Sequence, residues 1–150
     1  MGHKILVGID CSANAQRALD YVATMLRPHD DVLVTLFHVL IGPQPDIHPD
    51  REHRELELEK RHRRALRQLE AMQARLVTLG VPEDRITMKI QVCAPGDNVA
   101  NTLLEEQRRG GYQTVVVGRR GMSKREEFLF GSVSSKIIRE AKECTVWVVQ

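Results

Sequence analysis

Residues 4–10 read KILVGID, and their pattern decides the fold. From Ile5 to Ile9 the run is aliphatic and β-branched, with no polar residue at every second position. A strand buried on both faces, as in a parallel sheet, has this pattern. Helical spacing follows at once in Ala15, Ala18, Leu19, Val22 and Leu26, behind a cap from Ser12 or Asn14 and ahead of a stop at Pro28. Residues 31–39, DVLVTLFHV, are a second apolar strand. The first 39 residues thus read strand, helix, strand.

The alternation continues outward from that unit. Residues 42–49, GPQPDIHP, hold prolines that forbid regular structure. Residues 51–79 form a long helix with an apolar stripe of Leu58, Ala65, Leu69, Met72, Leu76 and Leu79. Its wet side carries Glu57 with Arg61 and Glu59 with Arg63 at i,i+4, and Gly80 and Pro82 end it. Residues 86–92 (ITMKIQV) alternate as a strand with one face less buried. A helix over 97–109 closes at Gly110 and Gly111. A strand over 113–117 (QTVVV), a helix over 132–141 and a last strand over 144–149 (CTVWVV) complete the chain. Strands alternating with helices build βαβ units, so the expected fold is a doubly wound α/β domain covering residues 1–150, with helices on both faces of a parallel sheet.

Composition narrows the function. The net charge is +2, from 22 basic and 20 acidic residues, so bulk attraction to nucleic acid or to a membrane surface is not implied. Aromatic residues are 4% of the chain, too few for the stacking platforms of RNA-binding sheets. Cys11, Cys93 and Cys144 stand far apart, which argues against a disulfide framework or a structural zinc site. The six histidines, His3, His29, His38, His48, His53 and His62, show no metal-ligand spacing. No apolar stretch is long enough to span a bilayer, and Met1 to Lys4 does not read as a secretory leader, so a cytoplasmic protein is expected.

In sheets of this class, ligands bind beyond the carboxyl ends of the strands, where the winding reverses. Residues 10–12, 39–43, 93–97 and 118–132 are therefore the segments for chemistry. The last of them carries the strongest signal: residues 118–135 read GRRGMSKREEFLFGSVSS. Gly118 and Gly121 let the backbone approach a ligand closely. Gly131 and Ser132 open a helix whose first N–H groups lack intrahelical partners and whose dipole favours an anion. The Ser132 and Ser134 hydroxyls add donors, and Arg119, Arg120, Lys124 and Arg125 add positive charge. Neither a Walker A loop nor the Rossmann Gly-x-Gly-x-x-Gly after the first strand is present, which disfavours a P-loop kinase and a nicotinamide dehydrogenase.

Gly-x-x-Gly, nine residues, then Gly-Ser resembles the nucleotide-binding signature of the universal stress protein family, in its ATP-binding subgroup. The likeness runs over essentially the whole chain: ILVGIDCSANAQRALDYVA at the start, FHV over 37–39, and VSSKIIREAKECTVWVV near the end. It implies a five-stranded parallel sheet of the Rossmann-like, adenine nucleotide alpha hydrolase-like kind, and a homodimer. It also implies ATP, with ADP or AMP possible, accompanied by Mg²⁺ or Mn²⁺ held through the phosphates. By position, Asp10 would face the ribose or phosphates and Val39 would meet the adenine edge through its backbone. Val117, Gly118, Arg120 and Gly121 would line the ribose and phosphates, and Gly131, Ser132, Val133 and Ser134 would grip the phosphates. The chain departs from the family where Cys11 replaces the usual Gly of Asp-Gly-Ser, and where Ala94-Pro-Gly-Asp-Asn replaces Gly-Asp-Pro.

Several residues carry two readings. Asp10 is a ligand contact or a helix cap; Asp97 is a cleft residue or the cap of its own helix. His38 reads as a packed strand histidine, and Cys11 as a small buried residue or a helix-terminal thiol of lowered pKa. No nucleophile–base pair is visible, so slow ATP turnover at most is expected. The rival readings are a nucleotide hydrolase or nucleotidyl or phosphoryl transferase using Asp10 as base, and a nucleotide-free interaction dimer. In the last strand, Thr145, Trp147 and Val149 on one face and Cys144, Val146 and Val148 on the other are largely apolar. At a sheet edge that strand invites pairing with a second copy.

Overall fold

Strands and helices alternate from end to end in the computed structural model, which describes residues 2–10, 13–27, 29–47, 50–118 and 132–150. In chain order they are β1 (His3–Gly8), α1 (Ala13–Leu26), β2 (Val32–Ile41), α2 (Arg51–Thr78), β3 (Ile86–Cys93), α3 (Val99–Gly110), β4 (Thr114–Gly118), α4 (Ser132–Glu140) and β5 (Thr145–Val149). The strands form one five-stranded parallel sheet in the order β3-β2-β1-β4-β5. This is the five-stranded α/β architecture that the alternation predicts.

Because β1 is buried on both faces, its successive side chains enter two different cores. Ile5, Val7 and Ile9 join Leu19, Val22, Leu69 and Leu76 on the side of α1 and α2. Leu6 joins Phe37, Leu103, Leu104, Val117 and Ile137 on the side of α3 and α4. Each fully buried leucine of this kind contributes about 1.5–3 kcal/mol relative to an exposed one. A bidentate pair from Arg75 to Asp20, at 2.6 and 2.8 Å, ties α2 to α1 outside the first core.

Boundaries differ from the sequence reading where hydrogen bonds override composition. β2 continues past Val39 because its ladder with β3 holds through Ile41 and Cys93. The Gly42 N–H then bonds the Cys93 carbonyl at 3.0 Å, and Pro43 has no N–H to extend the strand. α1 is already helical at Ala13, so Asn14 lies inside it and cannot be its cap. The other candidate, Ser12, lies outside the described residues. α3 begins at Val99 rather than at residue 97: Asn98 is the cap and accepts the Ala100 N–H at 2.8 Å. Asp97 instead accepts the Ala94 N–H at 3.2 Å and closes the loop after β3. A short 3-10 turn at Glu83–Arg85, which periodicity does not announce, leads into β3.

In α2, Asp50 accepts the Glu52 N–H at the start, and Gly80 supplies a φ of 103° just past the end. Ala65, Leu69 and Leu76 of the predicted stripe are buried there. Among the described residues no helix is long and apolar enough to cross a membrane.

Candidate functional site

The winding of this sheet reverses between β1 and β4. From β1 the chain moves outward through β2 to β3, then crosses back to β4 and out to β5. The helices that follow β1 and β4, α1 and α4, pack on opposite faces of the sheet and leave a crevice beyond the strand ends. A cavity of about 220 Å³ lies there.

Each wall follows from an element end. Gly8, Ile9 and Asp10 come from the end of β1, and Phe37, His38, Val39 and Ile41 from the end of β2. Val99 and Leu103 come from the first turns of α3, Val117 and Gly118 from β4, and Val133 and Ser134 from the start of α4. The apolar side chains suit a flat, weakly polar ring. Asp10, His38, Ser134 and the main chain of Gly118 supply polar groups beside them. α4 presents its first turn at the same place, so its leading N–H groups favour an anion on that side.

Six residues chosen from the sequence, Asp10, Val39, Val117, Gly118, Val133 and Ser134, are brought together by the structure in this cavity. Ser132 opens α4 with an exposed side chain and is not part of the lining. Arg120, Gly121 and Gly131 lie outside the described residues, as does Cys11. Ser134 is buried, at 1% exposure, whereas Asp10 is exposed.

Sequence reasoning missed the α3 wall. Val99 and Leu103 belong to a helix face that reads as core, and Leu103 is indeed almost wholly buried. It read His38 as a packed strand histidine beside the adenine-edge position. Its ring is half-buried, lines the cavity, and holds the Ile9 carbonyl at 2.7 Å from Nδ1. The available signal was a polar residue at the end of an apolar strand, immediately before Val39.

Groups elsewhere are set for structure. Burial pushes the Cys93 thiol up, helped by the nearby Asp97 charge, and burial does the same to Cys144, so neither is poised as a thiolate. Among the described residues no cluster of three or more His, Cys, Asp and Glu side chains is placed to hold a metal ion.

The model of the universal stress protein family matches residues 1–150 of the chain. A universal stress protein of Mycolicibacterium smegmatis is 31% identical over 137 residues, which are 91% of this chain and 45% of the relative. The chain thus spans about half the length of that curated relative. The universal stress protein UspA of Lactobacillus plantarum superposes with a TM-score of 0.78 at 20% identity, over 99% of this chain and 97% of that one. A family member from Arabidopsis thaliana, solved with AMP bound, superposes at 0.66 with 18% identity, over 98% and 90%. Other matched universal stress proteins were solved with cAMP and with dAMP.

Proposed function

The chain belongs to the universal stress protein family, and from that premise we propose that it is a regulatory module that holds an adenine nucleotide. ATP is the first candidate ligand, with ADP or AMP as alternatives, and any Mg²⁺ or Mn²⁺ rides on the phosphates. The observation that carries this reading is the position of the cavity at the β1–β4 reversal, lined by six residues chosen for nucleotide contact.

The residues present fit such a ligand. Phe37, Val39, Ile41, Val99 and Leu103 form an apolar slot for the base, and the Val39 main chain would meet the adenine edge in the proposed arrangement. A Cβ on Gly8 would crowd the same slot. Asp10 stands on the ribose and phosphate side, and Val133 and Ser134 mark the helix terminus that receives the phosphates. Gly118, Arg120, Gly121, Gly131 and Ser132 complete that grip in the proposed arrangement. The protein acts in the cytoplasm as a homodimer paired through β5, whose edge position leaves a row of main-chain groups open. Its role is occupancy, with at most slow turnover.

Thermal unfolding with and without nucleotide tests the reading. Ligand at 100 times its dissociation constant adds about 2.7 kcal/mol, or roughly 5–10 °C for a domain of this size. ATP with Mg²⁺, ADP or AMP should give such a shift, and Gly121→Val should abolish it. No shift with any of the three overturns the proposal. Mass spectrometry of nucleotide released from freshly purified protein identifies the resident ligand.

A further inference from the structure

We infer that His38 is a positioning residue for the nucleotide cleft, acting through the Ile9–Asp10 peptide. The inference rests on the reading of that cleft as a nucleotide site.

The regular ladders of β1 end at the edge of the cleft. Pairing with β4 ends at Val7 and Val116, and pairing with β2 ends at Gly8 and Phe37. Ile9 lies two residues beyond the first end and one beyond the second. Its N–H donates to the Phe37 carbonyl at 2.8 Å, and its carbonyl accepts from His38 Nδ1 at 2.7 Å. Its side chain, 5% exposed, is packed among the core residues of α1 and α2. Main chain and side chain are thus held on three sides, two of them by consecutive residues of β2.

The carbonyl bond has the longer reach. A peptide unit is planar from one Cα to the next, so fixing the Ile9 oxygen orients the plane that contains the Asp10 nitrogen and Cα. Asp10 is exposed at the cavity, and its side chain starts from the Cα that this plane contains. A histidine suits the task because its ring bridges from strand to strand while its edge still lines the cavity. The acceptor is a carbonyl, so Nδ1 must carry the proton. In the neutral ring this leaves Nε2 as an acceptor.

Two substitutions separate the tether from ring shape. In His38→Asn the side-chain amide nitrogen can take the place of Nδ1. In His38→Phe the ring is kept and the donor is lost. AMP affinity by calorimetry should fall about tenfold in His38→Phe, the loss of one half-buried hydrogen bond, and stay within about threefold of the unmodified protein in His38→Asn. In an Asp10→Ala background, His38→Phe should cause no further loss, because the group it positions is gone. Nitrogen-15 NMR of the unmodified protein should show the Nδ1-protonated tautomer for His38.

Several outcomes overturn the inference. They are unchanged AMP affinity in His38→Phe, equal losses in the Phe and Asn variants, an undiminished loss in the Asp10→Ala background, or the Nε2-protonated tautomer. Failure of the unmodified protein to bind AMP, ADP or ATP instead refutes the nucleotide reading, and this role with it. The NMR result reports on the tether separately.

Discussion

A Cβ placed on Gly8 would stand 3.3 Å from both terminal methyl groups of Leu103, with Val117 Cγ1 at 3.5 Å. β1 and α3 therefore approach more closely here than a side chain on Gly8 permits at ease. Leu103 also lines the cavity, so the space into which it can yield is the cavity itself. In Gly8→Ala, the smaller entropy of the unfolded chain favours folding by about 0.4–1 kcal/mol, and the crowding costs about as much. Stability by urea denaturation should stay within about 1 kcal/mol. AMP affinity should drop at least tenfold as Leu103 moves into the base slot. An unchanged affinity would place the base elsewhere.

The cap of α3 gives a second prediction. Asn98 accepts the Ala100 N–H at 2.8 Å, whereas Asp97 serves the turn after β3. Asn98→Ala should cost about 1 kcal/mol of stability, and Asp97→Ala distinctly less, read from the urea midpoints at constant m-value. Val99 and Leu103 follow directly in the first turns of this helix, so Asn98→Ala should also weaken AMP binding.

These two cases mark how far the sequence could be read. The aliphatic run through Ile5 and Val7, and the helical spacing of Leu69 and Leu76, report burial directly, so strands and helices and their parallel arrangement were legible. Strand ends are governed by hydrogen bonds that composition does not encode: β2 reaches Ile41 because Cys93 pairs with it. At the cleft, Asp10 and Ser134 were legible as polar residues at the end of a strand and the start of a helix, whereas Val117 was legible only through the family resemblance. Leu103 was hidden, since one leucine both fills the core and lines the cavity. The cleft role of His38 was hidden because its partner is a main-chain carbonyl 29 positions away in sequence.

Acid should expose a third feature. Glu106, on α3, is buried, and burial alone would raise its carboxyl pKa. Hydrogen bonds from Lys89 at 2.8 Å and Arg109 at 3.1 Å outweigh that and hold it below its ordinary value of 4.5. A carboxyl depressed in the folded state adds stability that is fully present above its unfolded pKa and is lost as pH falls through the folded one. The melting temperature should therefore fall as pH drops from about 5 to 3. Glu106→Gln should be less stable by about 2 kcal/mol at pH 7 and show a shallower acid decline. An equal decline in both proteins would assign the acid sensitivity to other carboxylates.

The last prediction concerns β5. Its Thr145 N–H bonds the Gln113 carbonyl at 2.8 Å, on the side of β4. Main-chain groups alternate along a strand, so the N–H groups of Thr145 and Trp147 face β4, and that of Val146 faces away from the sheet. β5 is an edge strand, so this outward N–H is one that a second copy would use. Proline at an outward position spares the ladder within the chain, whereas at an inward position it breaks it. Val146→Pro should remain folded and sediment as a monomer at micromolar concentrations where the unmodified protein should sediment as a dimer. Thr145→Pro should lose stability as well, through the broken bond to Gln113. A Val146→Pro protein that stays dimeric would move the interface away from β5, and a monomeric unmodified protein would remove the dimer altogether.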